Sequence, residues 1–212
     1  MIRRPLLVAG LATLGTAWFV VPFLPFGDAF LGHMTMHVGV VALAAPLLAA
    51  GLAGTPADPT RRFAAAFHPV TATAVEFVVV WGWHAPALHF LARTSPPAFA
   101  LEQLSFLAVG LMVWLSAFGE RSSHRNATAA GIGALFLTSM HMTLLGALLA
   151  LGPRPLYDPA ICGFGTLGAL EDQQVGGVLM LLVGGASYLL GGLVLMARLL
   201  RGAQPAQLGG RP

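Results

Sequence analysis

The chain has 212 residues, of which 57% are hydrophobic and 9% charged, with a formal net charge of +3. Soluble domains carry about 25% charged residues, so this composition excludes a water-soluble fold and places the chain in a membrane. The positive charge is all Arg, scattered between apolar stretches, which argues against a nucleic-acid-binding face.

A membrane-spanning helix needs about 20 mostly apolar residues. Six stretches meet this in chain order, at about 5–24, 30–52, 70–92, 99–118, 128–151 and 174–198. Short polar or Pro/Gly-rich breaks separate them: PFGD (25–28), TPADPTRR (55–62), RTSPP (93–97), GERSSHRN (119–126) and the longer stretch 152–172. The fold class expected is therefore all-α, a polytopic membrane helix bundle of about six transmembrane helices forming one integral membrane domain over 1–212. Arg3 and Arg4 before the first apolar run resemble the start of a signal peptide. That run is long and no small-x-small cleavage site follows it, so it is read as a retained span.

Arginine placement orients the bundle. With the N-terminus inside, the inner segments hold Arg3, Arg4, Arg61, Arg62, Arg121, Arg125, Arg198, Arg201 and Arg211, and the outer ones hold Arg93 and Arg154. Both termini are thus expected to be cytoplasmic. Gly177, Gly184 and Gly191 lie on one stripe of the last span, where small residues let another helix approach closely. The lone cysteine, Cys162, excludes an intrachain disulfide.

Five of the seven histidines, His33, His37, His84, His89 and His141, fall inside the spans, in the half facing away from the cytoplasm. An imidazole at membrane depth is costly unless something uses it. His33 and His37, in H-M-T-M-H, share one helix face about 6 Å apart along the axis. His84 and His141 come from two other spans and lie about 12–15 Å deep by helical rise. Met34 and Met36 flank the first pair, and Met140 and Met142 flank His141. Imidazole with thioether suits Cu(I); imidazole alone also suits zinc. The metal-site residues expected are His33, His37, His84 and His141, with Met34, Met36, Glu102 and Asp172. His89, on a different face from His84, is left as a hydrogen-bonding side chain, and His68 and His124 as solvated loop residues.

Several other residues bear on the site. Pro86, in W-G-W-H-A-P, is expected to kink the third span, free the Gly82 carbonyl and turn His84 inward. Glu102, near the outer start of span four, is a candidate to orient an imidazole or bind metal directly. Asp172 is expected to cap the last span, with Glu171 in the favourable field of its dipole, and to face the outer mouth where it attracts cations. Glu76 is a buried carboxylate without an assignable partner, and Cys162 is a loop thiol. The Glu of H-E-x-x-H is absent, as are a nucleophile elbow, a P-loop and a dinucleotide fingerprint, so no enzymatic activity is expected.

The ordered blocks H-M-T-M-H with A-P-L-L (33–37, 45–48), W-H-A-P-A-L (83–88), L-E-Q-L-S-F-L (101–107), M-H-M-T-L-L-G-A-L-L (140–149) with P-L-Y (155–157), and E-D-Q-Q-V-G-G-V-L-M (171–180) resemble the multi-span CtaG-type cytochrome c oxidase assembly factors. The resemblance implies a bacterial inner-membrane protein that helps assemble a haem–copper oxidase by supplying copper. An oxidase subunit would be its client and a periplasmic copper chaperone a further partner. It carries over His33, His37, His84, His141, Glu102, Asp172 and Gln173. Where the family tends to have E-H, this chain has Glu102-Gln103, and it is short for a family that usually has one more span. Two alternatives stand beside this reading. One is a haem-binding membrane cytochrome with imidazoles from different helices. The other is a copper permease, which would need polar or thioether residues through the inner half, where only Glu76, Met112 and Met196 lie.

Overall fold

The computed structural model describes residues 3–119, 125–158 and 167–201. Among these the chain is helical, with short turns and no strand. The helices are α1 (Arg3–Phe19), α2 (Phe30–Val38), α3 (Ala45–Leu52), α4 (Pro69–His84), α5 (Pro86–Thr94), α6 (Pro96–Phe118), α7 (Arg125–Ala150), α8 (Ala169–Leu179) and α9 (Gly185–Arg201). Proline opens α4, α5 and α6, where a missing N–H leaves nothing unpaired.

Five helical stretches are long and apolar enough to cross a membrane, and the bent pair α4–α5 supplies a sixth if it counts as one span. The expected spans are therefore present, but the third is broken. Pro86 does more than kink it. Ala85 takes an extended conformation (φ −67°, ψ 134°) and α5 departs from α4 by 71°. The residue before a proline is driven out of the helical region by the ring. The expected free Gly82 carbonyl is not found: it accepts the Ala85 N–H at 3.0 Å, which closes the last turn of α4.

A second proline shapes the second span. Between α2 and α3 the residues Gly39–Ala44 form a widened π turn. Pro46 has no N–H for the Ala42 carbonyl four residues back. Ser187 Oγ on α9 donates to that carbonyl at 2.6 Å, and Trp114 Nε1 on α6 donates to the Val41 carbonyl at 2.9 Å. Side chains of neighbouring helices thus satisfy backbone groups that lipid cannot, as a span requires. This turn begins two residues after His37 and locks α2 to α6 and α9 below the histidines.

Lipid is as apolar as leucine, so helix association rests on close packing and hydrogen bonds. A Cβ on Gly177 would stand 2.5 Å from the Ala150 nitrogen of α7, and one on Gly191 would stand 2.5 Å from the Trp114 ring. Both close approaches of the glycine stripe are thus realised, whereas Gly184 has ordinary space around it. Helix α7 sits centrally, packed on α4, α6, α8 and α9, while α1 lies at the edge against α3. Leu144, Leu148, Leu182 and Leu190 are exposed on the outside of the bundle, where lipid would cover them.

Candidate metal centre

The two ends of the bundle differ. At one end meet the start of α2, the break between α4 and α5, the first turns of α6, the end of α7 and the start of α8. Asp172 ties two of these together, since its carboxylate accepts from the Phe30 N–H at 2.7 Å and the Leu31 N–H at 3.0 Å. The expected role of Asp172 is corrected here. The helix starts at Ala169, with the Gly168 N–H held by Glu171, so Asp172 lies inside α8 and caps α2 instead of its own helix. It is 4% exposed, which leaves little of it facing an open mouth.

Four imidazoles fill the space behind this cap. His33 and His37 lie one turn apart on α2, their rings nearly parallel and 6.3 Å apart. His84, the last residue of α4, stands edge-on to both, at 5.3 Å from His33 and 5.0 Å from His37. His89 from α5 stands 4.8 Å from His33. All four are buried, and Phe106 of α6 closes the side at 4.2 Å from His37.

His89 is the residue that sequence reasoning left out. On one continuous helix, residues five apart point about 140° from each other, so His84 and His89 belonged on different faces. The break at Pro86 swings α5 around and returns His89 to the cluster. The W-H-A-P run held the signal: a proline two residues after a histidine resets the register of all that follows.

His33, His89 and Glu102 each offer a ligand atom, all within 4.8 Å of one another. Two nitrogens on one ion with bonds of 2.0–2.1 Å lie about 3.3–4 Å apart, so small side-chain movements would bring these atoms onto a metal. Glu102 is itself held. Arg93 donates to its Oε2 in an ion pair, and Gln103 Nε2 donates to the same oxygen at 3.1 Å. Trp18 of α1 in turn donates to Gln103 Oε1 at 3.1 Å. The other oxygen, Oε1, stands 3.7 Å from His33 Nδ1, too far for a hydrogen bond. Arg93 and Gln103 were not expected in the site, and each neutralises or orients its carboxylate.

The ring nitrogens give the chemistry. His84 Nδ1 lies 2.7 Å from the Val80 carbonyl, which can only accept, so Nδ1 carries the proton and Nε2 of the neutral ring keeps a lone pair. That Nε2, both nitrogens of His33 and His37, and Glu102 Oε1 have no hydrogen-bond partner among the described residues. Buried polar atoms are nearly always paired, and leaving one unmade costs about 1–3 kcal/mol. A cluster of unpaired imidazole nitrogens beside a carboxylate is the donor set of a cation site, so the residues fit a metal.

The remaining expected ligands make further contacts of their own. Among the described residues, ring contacts join His33, His37, His84 and His89 to one another, whereas the His141 ring stands edge-on to Phe77. His141 Nε2 lies 3.5 Å from Glu76 Oε2. Glu76 also accepts from Tyr188 at 2.6 Å and from Thr138 at 2.9 Å, which supplies the partners the sequence did not name. Met34 packs towards Gly176 of α8, and Met36 is buried. Gln173 accepts from the Leu156 N–H at 2.6 Å and donates to the Leu149 carbonyl at 3.2 Å, so it braces the end of α7. His68 is exposed ahead of α4, while His124 and Cys162 lie outside the described residues.

A family model described as cytochrome c oxidase caa3 assembly factor matches residues 6–202. No curated protein and no solved structure matches the chain.

Proposed function

Since the chain belongs to the cytochrome c oxidase caa3 assembly factor family, we propose that it assists assembly by holding copper in the histidine cluster and supplying it to the oxidase. The observation that carries this reading is the set of unpaired nitrogens on His33, His37 and His84, buried beside Glu102. Three or four imidazoles suit Cu(I) or Zn(II). The oxidase client contains copper, which favours copper as the cargo.

In this reading His33, His37, His84 and His89 are the ligands. Glu102 balances charge and, held by Arg93 and Gln103, faces His33. His141 with Glu76, and Met34 with Met36, stand beside this set as secondary ligand candidates. The Arg asymmetry and the family support a bacterial inner-membrane location with the cluster near the outer face. A periplasmic copper chaperone is a suitable donor. The bis-imidazole haem alternative is less well supported, because the four rings and Phe106 pack edge-on against each other at 4.2–5.3 Å.

Metal content tests the reading. Purified wild type is expected to bind Cu(I), and His33→Ala/His37→Ala to lose it. Equal copper in both would remove the site, and an intense Soret band would favour haem. In membranes, His37→Ala is expected to lower active oxidase at unchanged abundance of this protein. Excess copper should restore part of it, because mass action replaces delivery when free metal rises. His68→Ala and His124→Ala should be silent.

A further inference from the structure

The site just described needs a way for an ion to come and go. His33 and His37 are fully buried, and Phe106 closes one side of the cluster. A cleft of about 310 Å3 opens beside α5, lined by Pro86, Ala87, His89, Leu156, Tyr157 and Asp158. His89 is thus shared: it forms a wall of this cleft and also offers a ligand atom to the group with His33 and Glu102.

Tyr157 stands at the same boundary. Its ring stacks on Phe30 at 4.4 Å and meets His89 at 4.4 Å. Its hydroxyl donates at 2.9 Å to the carbonyl of His84, at the break between α4 and α5. That anchor exists because Pro86 has ended α4. That hydrogen bond and the two ring contacts place the side chain between the cleft and the imidazoles. The Tyr157 ring adjoins both the cleft and the helix break, whereas Phe106 belongs to the fully buried core.

We propose that this cleft is the port through which the metal is exchanged, with His89 as the first ligand to receive or last to release it and Tyr157 as the ring that closes it. The proposal rests on the copper reading above. A soft cation carried by a donor's side chains would pass from them to His89 and then to His33, moving between lone pairs at each step. No bond beyond the metal–ligand bonds is made or broken. A second cleft, of about 420 Å3, lies between α1, the π turn after α2 and α8, and offers Thr16 and Thr35 but no imidazole. It serves as the internal comparison.

The test uses the full chain in phospholipid nanodiscs, loaded with Cu(I) under reducing conditions. Release to a water-soluble sulfonated Cu(I) chelator is followed by absorbance. Tyr157→Ala should speed release about tenfold at unchanged stoichiometry, and Tyr157→Phe, which keeps the stacking and loses one hydrogen bond, by a smaller factor. Ala87→Trp, which fills the exposed cleft, should slow release about tenfold or more, an effect opposite in sign to that of unfolding. Thr16→Trp, in the second cleft, should release at the wild-type rate. Copper binding with Ala87→Trp and Tyr157→Ala both at the wild-type rate overturns the port and leaves the copper reading standing. Slowing by Thr16→Trp in place of Ala87→Trp moves the port to the other cleft and overturns this one. No copper on the wild type overturns the copper reading, and the port with it.

Discussion

The His33 and His89 rings meet edge-on, with centroids 4.8 Å apart and planes 84° apart, although α2 and α5 carry them. This contact exists because Pro86 ends α4 and lets α5 leave at 71°. A straight span would carry His89 past the cluster and out to the interface. The histidine cluster is therefore a product of a broken helix as much as of a histidine count.

Removing the break should loosen the site. Pro86→Ala permits a continuous helix through residue 85 and withdraws His89. Copper affinity is expected to fall about 10- to 100-fold, the range seen when the groups around a metal are disturbed. Competition with a chelator of known affinity measures this. Unchanged affinity would mean that His89 contributes nothing to binding.

Asp172 should behave as a structural residue. Asp172→Ala removes the acceptor of the Phe30 and Leu31 N–H groups. Loss of such a cap costs about 0.5–2 kcal/mol. Thermal unfolding in detergent should shift down, while the protein that remains folded keeps its full copper stoichiometry. Copper loss without a change in unfolding would make Asp172 a ligand.

The carboxylate orientation should matter in proportion to its contacts. Glu102→Gln removes the charge facing His33 and leaves Arg93 without its partner, so copper affinity is expected to drop about tenfold or more. Gln103→Ala, which removes one of the donors to Oε2, should give a smaller drop in the same assay. The reverse order would assign the main effect to Gln103.

Glu76 and Tyr188 should be energetically coupled. Tyr188→Phe leaves Glu76 Oε1 without its donor in the middle of the bundle, at about 1–3 kcal/mol. A double-mutant cycle with Glu76→Gln should give a coupling of about 0.5–3 kcal/mol. Additive effects in thermal unfolding would deny that the hydrogen bond contributes.

Topology can be checked directly. Reporter fusions after Asp158 and at the C-terminus should report an external and a cytoplasmic location respectively, following the Arg asymmetry. A cytoplasmic signal at Asp158 would invert the bundle and place the cluster and its cleft on the inner side.

The sequence by itself determined the helical class, the approximate spans and the histidines at one end of the bundle. These rest on local rules: apolar length decides a span, and the spacing of His33 and His37 decides that they share a face. The family blocks were legible for the same reason, since short contiguous motifs survive without knowledge of the fold. Tertiary structure decided how the residues combine. His89 joins the cluster and His141 comes within 3.5 Å of Glu76 because helix directions after a proline, and the rotation of one helix against another, depend on contacts between residues far apart in the chain. Asp172 caps α2 across 142 positions, and Tyr157 reaches the carbonyl that Pro86 left at the end of α4. Backbone groups freed by prolines must be satisfied inside a membrane. Which side chain satisfies them is set only when the helices pack.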